Sequence, residues 1–213
     1  MQHLLLFGAT GLVGQQVLQL ALADSSIDRI TAPTRRPLTL HPKLANPIID
    51  FDSISNSAQW WSADAAISAL GTTIRQAGSQ AQFRRVDHDY VLALAQSALT
   101  AGTRVFAVIS SIGANPRSPQ FYLRVKGETE RDLAALGFAS LTILRPSLLD
   151  GGPRRDKRPG EALALAISHL LAPVIPRRYR AISTIKVARA LLSSAASATP
   201  GTHIIESEHI HNV

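Results

Sequence analysis

Two apolar rhythms alternate along this chain. Short, nearly continuous apolar runs fall at residues 4–7, 29–33, 47–50, 65–69, 104–110 and 140–144, with a further one at 203–206. Runs of that length, rich in branched side chains, predict strands buried on both faces. Between them apolar positions recur at helical spacing, predicting helices over 12–23, 83–101, 122–136, 161–171 and 184–195. Val13, Val17 and Leu20 share one face of the first helix. On the second, Val86, Tyr90, Leu94 and Ala98 make a stripe at i+4 spacing, and Gly102 and Gly137 stand where C′ glycines end helices. Strand and helix in alternation predict an α/β, doubly wound fold, a parallel sheet with helices on both faces. No repeat, linker or low-complexity segment interrupts it. The expectation is a single domain over 1–213, with a core over 1–146 and a small substrate or lid portion over 147–213.

Between the first strand and the first helix runs Gly8-Ala9-Thr10-Gly11-Leu12-Val13-Gly14. Gly8 allows a sharp turn out of the strand, Gly11 lets a pyrophosphate approach the backbone, and Gly14 lets the helix lie against the sheet. The helix N-terminus then offers free N–H groups and a partial positive charge to phosphates. The spacing G-x-x-G-x-x-G differs from G-x-G-x-x-G but has the same mechanics. The strand before it and the helix after it are the context that a dinucleotide site needs. Gly8, Thr10, Gly11, Leu12, Val13 and Gly14 are its candidate contacts.

In such sheets ligands lie beyond the C-terminal strand ends, so the residues just after each strand matter. After the second strand, Thr34-Arg35-Arg36-Pro37 stands where an NAD site would carry a carboxylate for the ribose 2′-hydroxyl. A guanidinium suits a 2′-phosphate instead, so Arg35 and Arg36 favour NADP(H) over NAD(H). Asp50 and Phe51 could supply a carboxylate and an apolar wall to the adenine. Leu70, Gly71 and Thr72 follow the fourth strand and would allow close approach along the middle of the cofactor.

Ser110 and Ser111 put hydroxyls at the end of the fifth strand, and Tyr122 and Lys126 follow four residues apart, on one helix face. An ammonium beside a phenol stabilises the phenolate and fits it for proton transfer near neutral pH. A neighbouring serine hydroxyl could hold a substrate carbonyl oxygen. The set gains its meaning from its place downstream of a dinucleotide turn.

These residues, with Val86-Asp87 and Leu144-Arg145-Pro146-Ser147, make the chain resemble the short-chain dehydrogenase/reductase superfamily over nearly its whole length. Thr34-Arg35-Arg36-Pro37, Val86-Asp87-His88-Asp89-Tyr90-Val91 and Ile109-Ser110-Ser111-Ile112-Gly113-Ala114 make it similar to the atypical group that includes the Tat-interactive-protein-like oxidoreductases. So does the later Arg158-Pro159-Gly160-Glu161. The resemblance implies a Rossmann fold, bound NADP(H) and a catalytic set of Ser111, Tyr122 and Lys126, with Ser110 beside it. It further implies that Lys126 binds the nicotinamide ribose and that Pro146 and Ser147 border the nicotinamide ring. The asparagine many relatives carry on the helix from Phe83 is absent; Asp87 and His88 lie near its place. The implied activity is hydride transfer between NADP(H) and a small carbonyl or alcohol. A second reading is an NADP(H)-binding sensor or scaffold acting through protein partners. A sugar-nucleotide epimerase is disfavoured by the short C-terminal portion.

Composition narrows this further. The chain has no cysteine, which excludes disulfides, thiolate metal sites and a cysteine nucleophile. G-x-S-x-G, H-E-x-x-H and Walker sequences are absent. The formal charge of +7 gathers at Arg35-Arg36, in 154–158 and in 177–180, without a nucleic-acid-binding motif, so no nucleic-acid partner is expected. Arg154, Arg155 and Arg158 could instead meet an acidic group on the substrate. His203, His209 and His211 lack metal-spaced partners, the last two at strand spacing, and Trp60-Trp61 reads as packing. No run is long enough to span a bilayer, and no signal segment precedes the first strand, so the expected location is cytoplasmic. A homo-oligomer is compatible with all of this.

Overall fold

The computed structural model of the chain describes residues 1–54, 59–150 and 176–212. β1 (His3–Phe7) lies inside the sheet, with Leu4, Leu5, Leu6 and Phe7 all fully buried, as a run apolar on both faces requires. It leads into α1 (Leu12–Ala23), β2 (Arg29–Thr31), the short β3 (Leu44–Ala45) and β4 (Ala65–Ser68). Then come α2 (Ile74–Ala77), α3 (Gln80–Arg84), a π-helical turn over Arg85–Asp89, α4 (Tyr90–Thr100) and β5 (Val105–Ile109). α5 (Phe121–Ala135) and β6 (Ser140–Arg145) follow. β7 (Leu149–Asp150) pairs with β8 (Ile182–Ser183) apart from the main sheet. α6 (Thr184–Ser197), β9 (Gly201–Glu206) and α7 (Ser207–Ile210) end the described chain.

The main sheet has seven strands in the order β3-β2-β1-β4-β5-β6-β9, every pair parallel. The chain goes outward one way from β1 to β3 and returns to build the other half from β4. A crevice therefore opens above the C-terminal ends of β1 and β4. α1 and α6 cover one face, packing Val13, Val17 and Ala21 with Val187, Ala188 and Leu191. α4 and α5 cover the other, where Val91, Leu94, Ala95 and Leu133 meet Phe7, Phe106 and Val108. The doubly wound fold is thus as the apolar runs predict, and β9 extends it by six residues in register with β6.

Three local expectations need correction. The third strand forms at Leu44–Ala45, not at 47–50, where only a single bridge joins Ile48 to Thr34. Pro47 has no N–H to give to a ladder, although its carbonyl still accepts from Thr34 N at 3.0 Å. The second helix is broken by the π turn, which closes its hydrogen bonds to i+5 rather than i+4, and its buried face is not the one that the stripe through Val86 and Tyr90 marks. Phe83, Asp87, Val91, Leu94 and Ala98 face inward, while Val86 and Tyr90 are only half-buried. His209 lies in α7 and His211 just after it, so the two do not share a strand face. The helix predicted over 161–171 and Arg154, Arg155 and Arg158 lie outside the described residues. Trp61 is buried and stacks on Trp60 with ring centroids 4.2 Å apart, the packing role expected of the pair.

Candidate active site

Gly8 takes a left-handed conformation at φ +79°, which turns the chain out of β1, and its carbonyl accepts from Gly11 N at 2.9 Å. Gly11 caps α1 with extended backbone. A Cβ on Gly14 would lie 2.0 Å from the Gly8 carbonyl oxygen, so α1 is seated directly on the turn and only glycine fits. The N-terminus of α1 therefore faces the crevice. A cleft of about 490 Å³ opens there, bordered by Gly8, Thr10, Gly11, Leu70, Gly71 and Thr72, with Arg35 at its far end.

The loop that presents Arg35 is braced from below. Thr34 Oγ1 donates to the Arg36 carbonyl at 2.6 Å, and Asn46 Nδ2 donates to the Ala32 carbonyl and to Thr34 Oγ1. Asn46 Oδ1 accepts from Leu38 N at 2.8 Å. Arg35 itself is exposed at the cleft margin, a guanidinium available to an anion.

From the same turn a second cleft of about 670 Å³ runs toward the ends of β5 and α5. Leu12 and Gln15 border it on one side, Ser110, Tyr122 and Lys126 on the other. Ser110 Oγ is buried and has no hydrogen-bond partner, an unsatisfied hydroxyl that a ligand oxygen would complete. Tyr122 packs its ring against Phe83, centroids 5.4 Å apart. The loop after Ser110 is held against α5 by Asn115 N donating to the Leu123 carbonyl at 3.0 Å. There Gly127 permits contact: a Cβ on it would lie 2.2 Å from the Asn115 carbonyl carbon.

Lys126 is 6% exposed and its Nζ lies 2.7 Å from Oδ1 of Asp87, itself 1% exposed. Asp87 Oδ2 accepts from Thr72 N at 2.8 Å. One carboxylate thus joins the π turn, α5 and the loop after β4 behind the cleft. Burial alone would drive the Lys126 ammonium down, but its ion pair and hydrogen bond with the Asp87 carboxylate, with smaller help from Tyr122 and Glu130, outweigh it and hold the group above its ordinary range. One turn on, Glu130 takes Arg145 at 2.6 and 3.0 Å, and Arg145 also reaches Glu206 at 2.9 Å. That network fixes the end of β6 against α5 and β9.

Gly8, Thr10, Gly11, Leu12, Val13, Arg35, Leu70, Gly71, Thr72, Ser110, Tyr122 and Lys126 therefore border the two connected clefts, with Gly14 just beneath. Ser111 is not among the lining residues; its hydroxyl lies 3.4 Å from the Ile112 carbonyl. Arg36 is exposed beside Arg35 and is also not in the lining. Asp50 accepts from Asp52 N at 2.9 Å, and Phe51 packs on Tyr90 at 5.6 Å; neither is among the residues that border the two clefts. The Pro146 carbonyl accepts from Ile112 N at 3.0 Å, and the Ser147 hydroxyl donates to the Arg180 carbonyl. Asp87, Gln15 and Gln76 line the clefts without having been singled out as contacts. For Asp87 the sequence signal was its place beside the missing asparagine.

A family model described as NAD(P)H-binding matches residues 8–198. Protein HTATIP2 of Rattus norvegicus is 34% identical over 206 residues, covering 94% of this chain and 83% of its own. The mitochondrial protein FMP52 of Candida albicans is 36% identical over 174 residues, covering 77% of this chain and 74% of its own. Among solved structures, MoeE5 in complex with UDP-glucose and NAD superposes with a TM-score of 0.73 at 18% identity, over 98% of this chain and 79% of that one. The oxidoreductase ylbE of Lactococcus lactis superposes at 0.67 with 17% identity, over 100% and 96%. Both likenesses are of fold. The expected cytoplasmic location is overturned by the fungal relatives, whose FMP52 proteins are named mitochondrial. Address information need not reside in a cofactor-binding domain, so its residues were a poor guide. Among the described residues no helix is long and apolar enough to cross a membrane.

Proposed function

The chain belongs to the NAD(P)H-binding family, among the atypical short-chain dehydrogenases/reductases with HTATIP2-like proteins, and from that premise we propose an NADP(H)-dependent oxidoreductase acting on a small carbonyl or alcohol. Mitochondria are its proposed location, after its fungal relatives. The observation that carries the reading is the continuity of the cleft: the glycine turn, Ser110, Tyr122 and Lys126 all border it. The residues fit a dinucleotide, because side chains on Gly8 or Gly14 would collide with backbone and the turn leaves the α1 N-terminus clear. Thr10, Gly11 and Leu12 would hold the pyrophosphate, Arg35 the 2′-phosphate, and Gly71 and Thr72 the middle of the molecule. When bound, the nicotinamide supplies hydride.

The protein's own part is orientation and proton delivery. Ser110 donates its unpartnered hydroxyl to the carbonyl oxygen and fixes its direction. Tyr122 delivers the proton that this oxygen needs as the carbonyl carbon is reduced, and takes it back in the reverse direction. Lys126 stays charged and anchored by Asp87, on the same helix face as Tyr122. Ser110 replaces Ser111 in the orienting role, because only Ser110 borders the cleft. Ser110→Ala is therefore expected to lower kcat/KM by about tenfold or more, the loss of one directed hydrogen bond, with Ser111→Ala close to wild type. Steady-state kinetics on one aldehyde decide it; the opposite order would return the role to Ser111.

Cofactor choice is tested at Arg35. Losing a charge-assisted contact to phosphate costs about 1.5–3 kcal/mol, or roughly 10- to 100-fold in affinity. Arg35→Ala is expected to weaken NADPH binding by that factor and leave NADH binding nearly unchanged, measured by fluorescence titration of each. Equal losses for both would remove the 2′-phosphate contact.

A further inference from the structure

We infer that the described residues at the carbonyl end of the cleft make it charge-neutral, so that it selects an uncharged aldehyde or ketone with an apolar body over substrates that carry a carboxylate. This rests on the oxidoreductase reading and adds the substrate class to it. Among the described residues lining the larger cleft, Asp87 and Lys126 are the charged ones, and they face each other at 2.7 Å. The other cation bordering the connected clefts, Arg35, stands at the opposite end. Leu12, Ile109 and Leu149 border the same cleft as Ser110 and Tyr122.

A substrate carboxylate entering there would lose its hydration and, among the described residues, find the nearby Lys126 ammonium already taken. The paired charges cancel, so nothing among the described lining residues offsets that lost hydration. An uncharged body suffers no such penalty and gains by covering three aliphatic side chains. The sequence pointed the other way, toward Arg154, Arg155 and Arg158 meeting an acid. Those residues lie outside the described ones, so the two readings divide on experiment.

The test uses a matched pair of unreactive carbonyl probes, benzamide and 4-carbamoylbenzoate, titrated calorimetrically into the full chain with NADPH present. The neutral probe is expected to bind at least about tenfold more tightly, the acid having no partner to offset its desolvation. Equal binding, tighter binding of the acid, or binding of neither overturns the inference. Asp87→Asn, which leaves the Lys126 charge unopposed, should narrow the gap; an unchanged gap would remove the ion pair as its cause. Should that variant fail to fold, Asp87→Asn with Lys126→Gln removes both charges and is expected to keep the wild-type gap, while a narrowed gap would count against the inference. Benzaldehyde and 4-carboxybenzaldehyde then serve as substrates. Discrimination in binding without turnover of either would sink the oxidoreductase reading and leave the charge selectivity standing.

Discussion

Tyr122→Phe is expected to keep NADPH affinity and lose turnover by about 10²- to 10⁴-fold, the range for removing a positioned proton donor. The substitution deletes one oxygen and nothing else. The ring still packs on Phe83 at 5.4 Å, and Lys126 keeps its bond to Asp87. Neither the glycine turn nor the Arg35 loop touches the phenol, so the grip on the dinucleotide should survive. Fluorescence titration of NADPH and steady-state reduction of a neutral aldehyde separate the two properties. A variant as active as the wild type would take Tyr122 out of the chemistry. A wild type that binds NADPH but reduces no aldehyde or ketone, with Tyr122→Phe indistinguishable from it, would favour a cofactor-binding sensor working through protein partners.

How far the sequence could reach depended on the range of the physics at each position. The glycine turn was legible because its constraints are local: a positive φ at Gly8 and the seat of α1 on Gly14 are both set within seven residues. Tyr122 and Lys126 were legible as an i, i+4 pair. Ser110 could have been preferred to Ser111 from strand alternation alone. Phe106 and Val108 point to the face covered by α4 and α5, and the period of two carries Ser110 to that side, toward Tyr122. Asp87 is a different case. Two stripes at i+4 spacing run side by side there, Val86 and Tyr90 on one and Phe83, Asp87 and Val91 on the other, and it is the second that is buried. An aspartate in the stripe disguised it, because a charged side chain argues against a core face until its buried partner Lys126 is known. The π turn is held by contacts far off in sequence, among them Thr129 Oγ1 donating to the Asp87 carbonyl at 3.1 Å. The third strand failed for a related reason, since 44–45 and 47–50 are both short apolar pieces beside prolines. The register with β2, Ile30 against Leu44, decided between them.

The same buried pair gives the largest expected effect on stability. Asp87→Ala leaves Lys126 charged, buried and without its partner, and removing one member of such a pair costs about 3–5 kcal/mol. For a chain of this size that lowers the melting temperature by about 10 °C. A cavity left by a small carboxylate would also destabilise, so magnitude alone does not identify the cause; the pH dependence does. In the wild type Lys126 is held above its ordinary value of 10.5. Its contribution is therefore fully present below that value and is lost only as pH rises through the higher folded one. Across the neutral range it is flat. In the variant the first influence on Lys126 is its burial, which opposes the charge, so the folded chain holds this proton less tightly than the unfolded chain does. Stability then rises with pH wherever the unfolded state binds the extra proton. Denaturant unfolding between about pH 6 and 9 should show the variant regaining stability toward the alkaline end relative to wild type. A parallel, pH-independent loss would mean a packing defect only. Asp87→Ala with Lys126→Met, which removes both charges, should recover most of the deficit, because what destabilises the single variant is the orphaned ammonium rather than the missing carboxylate.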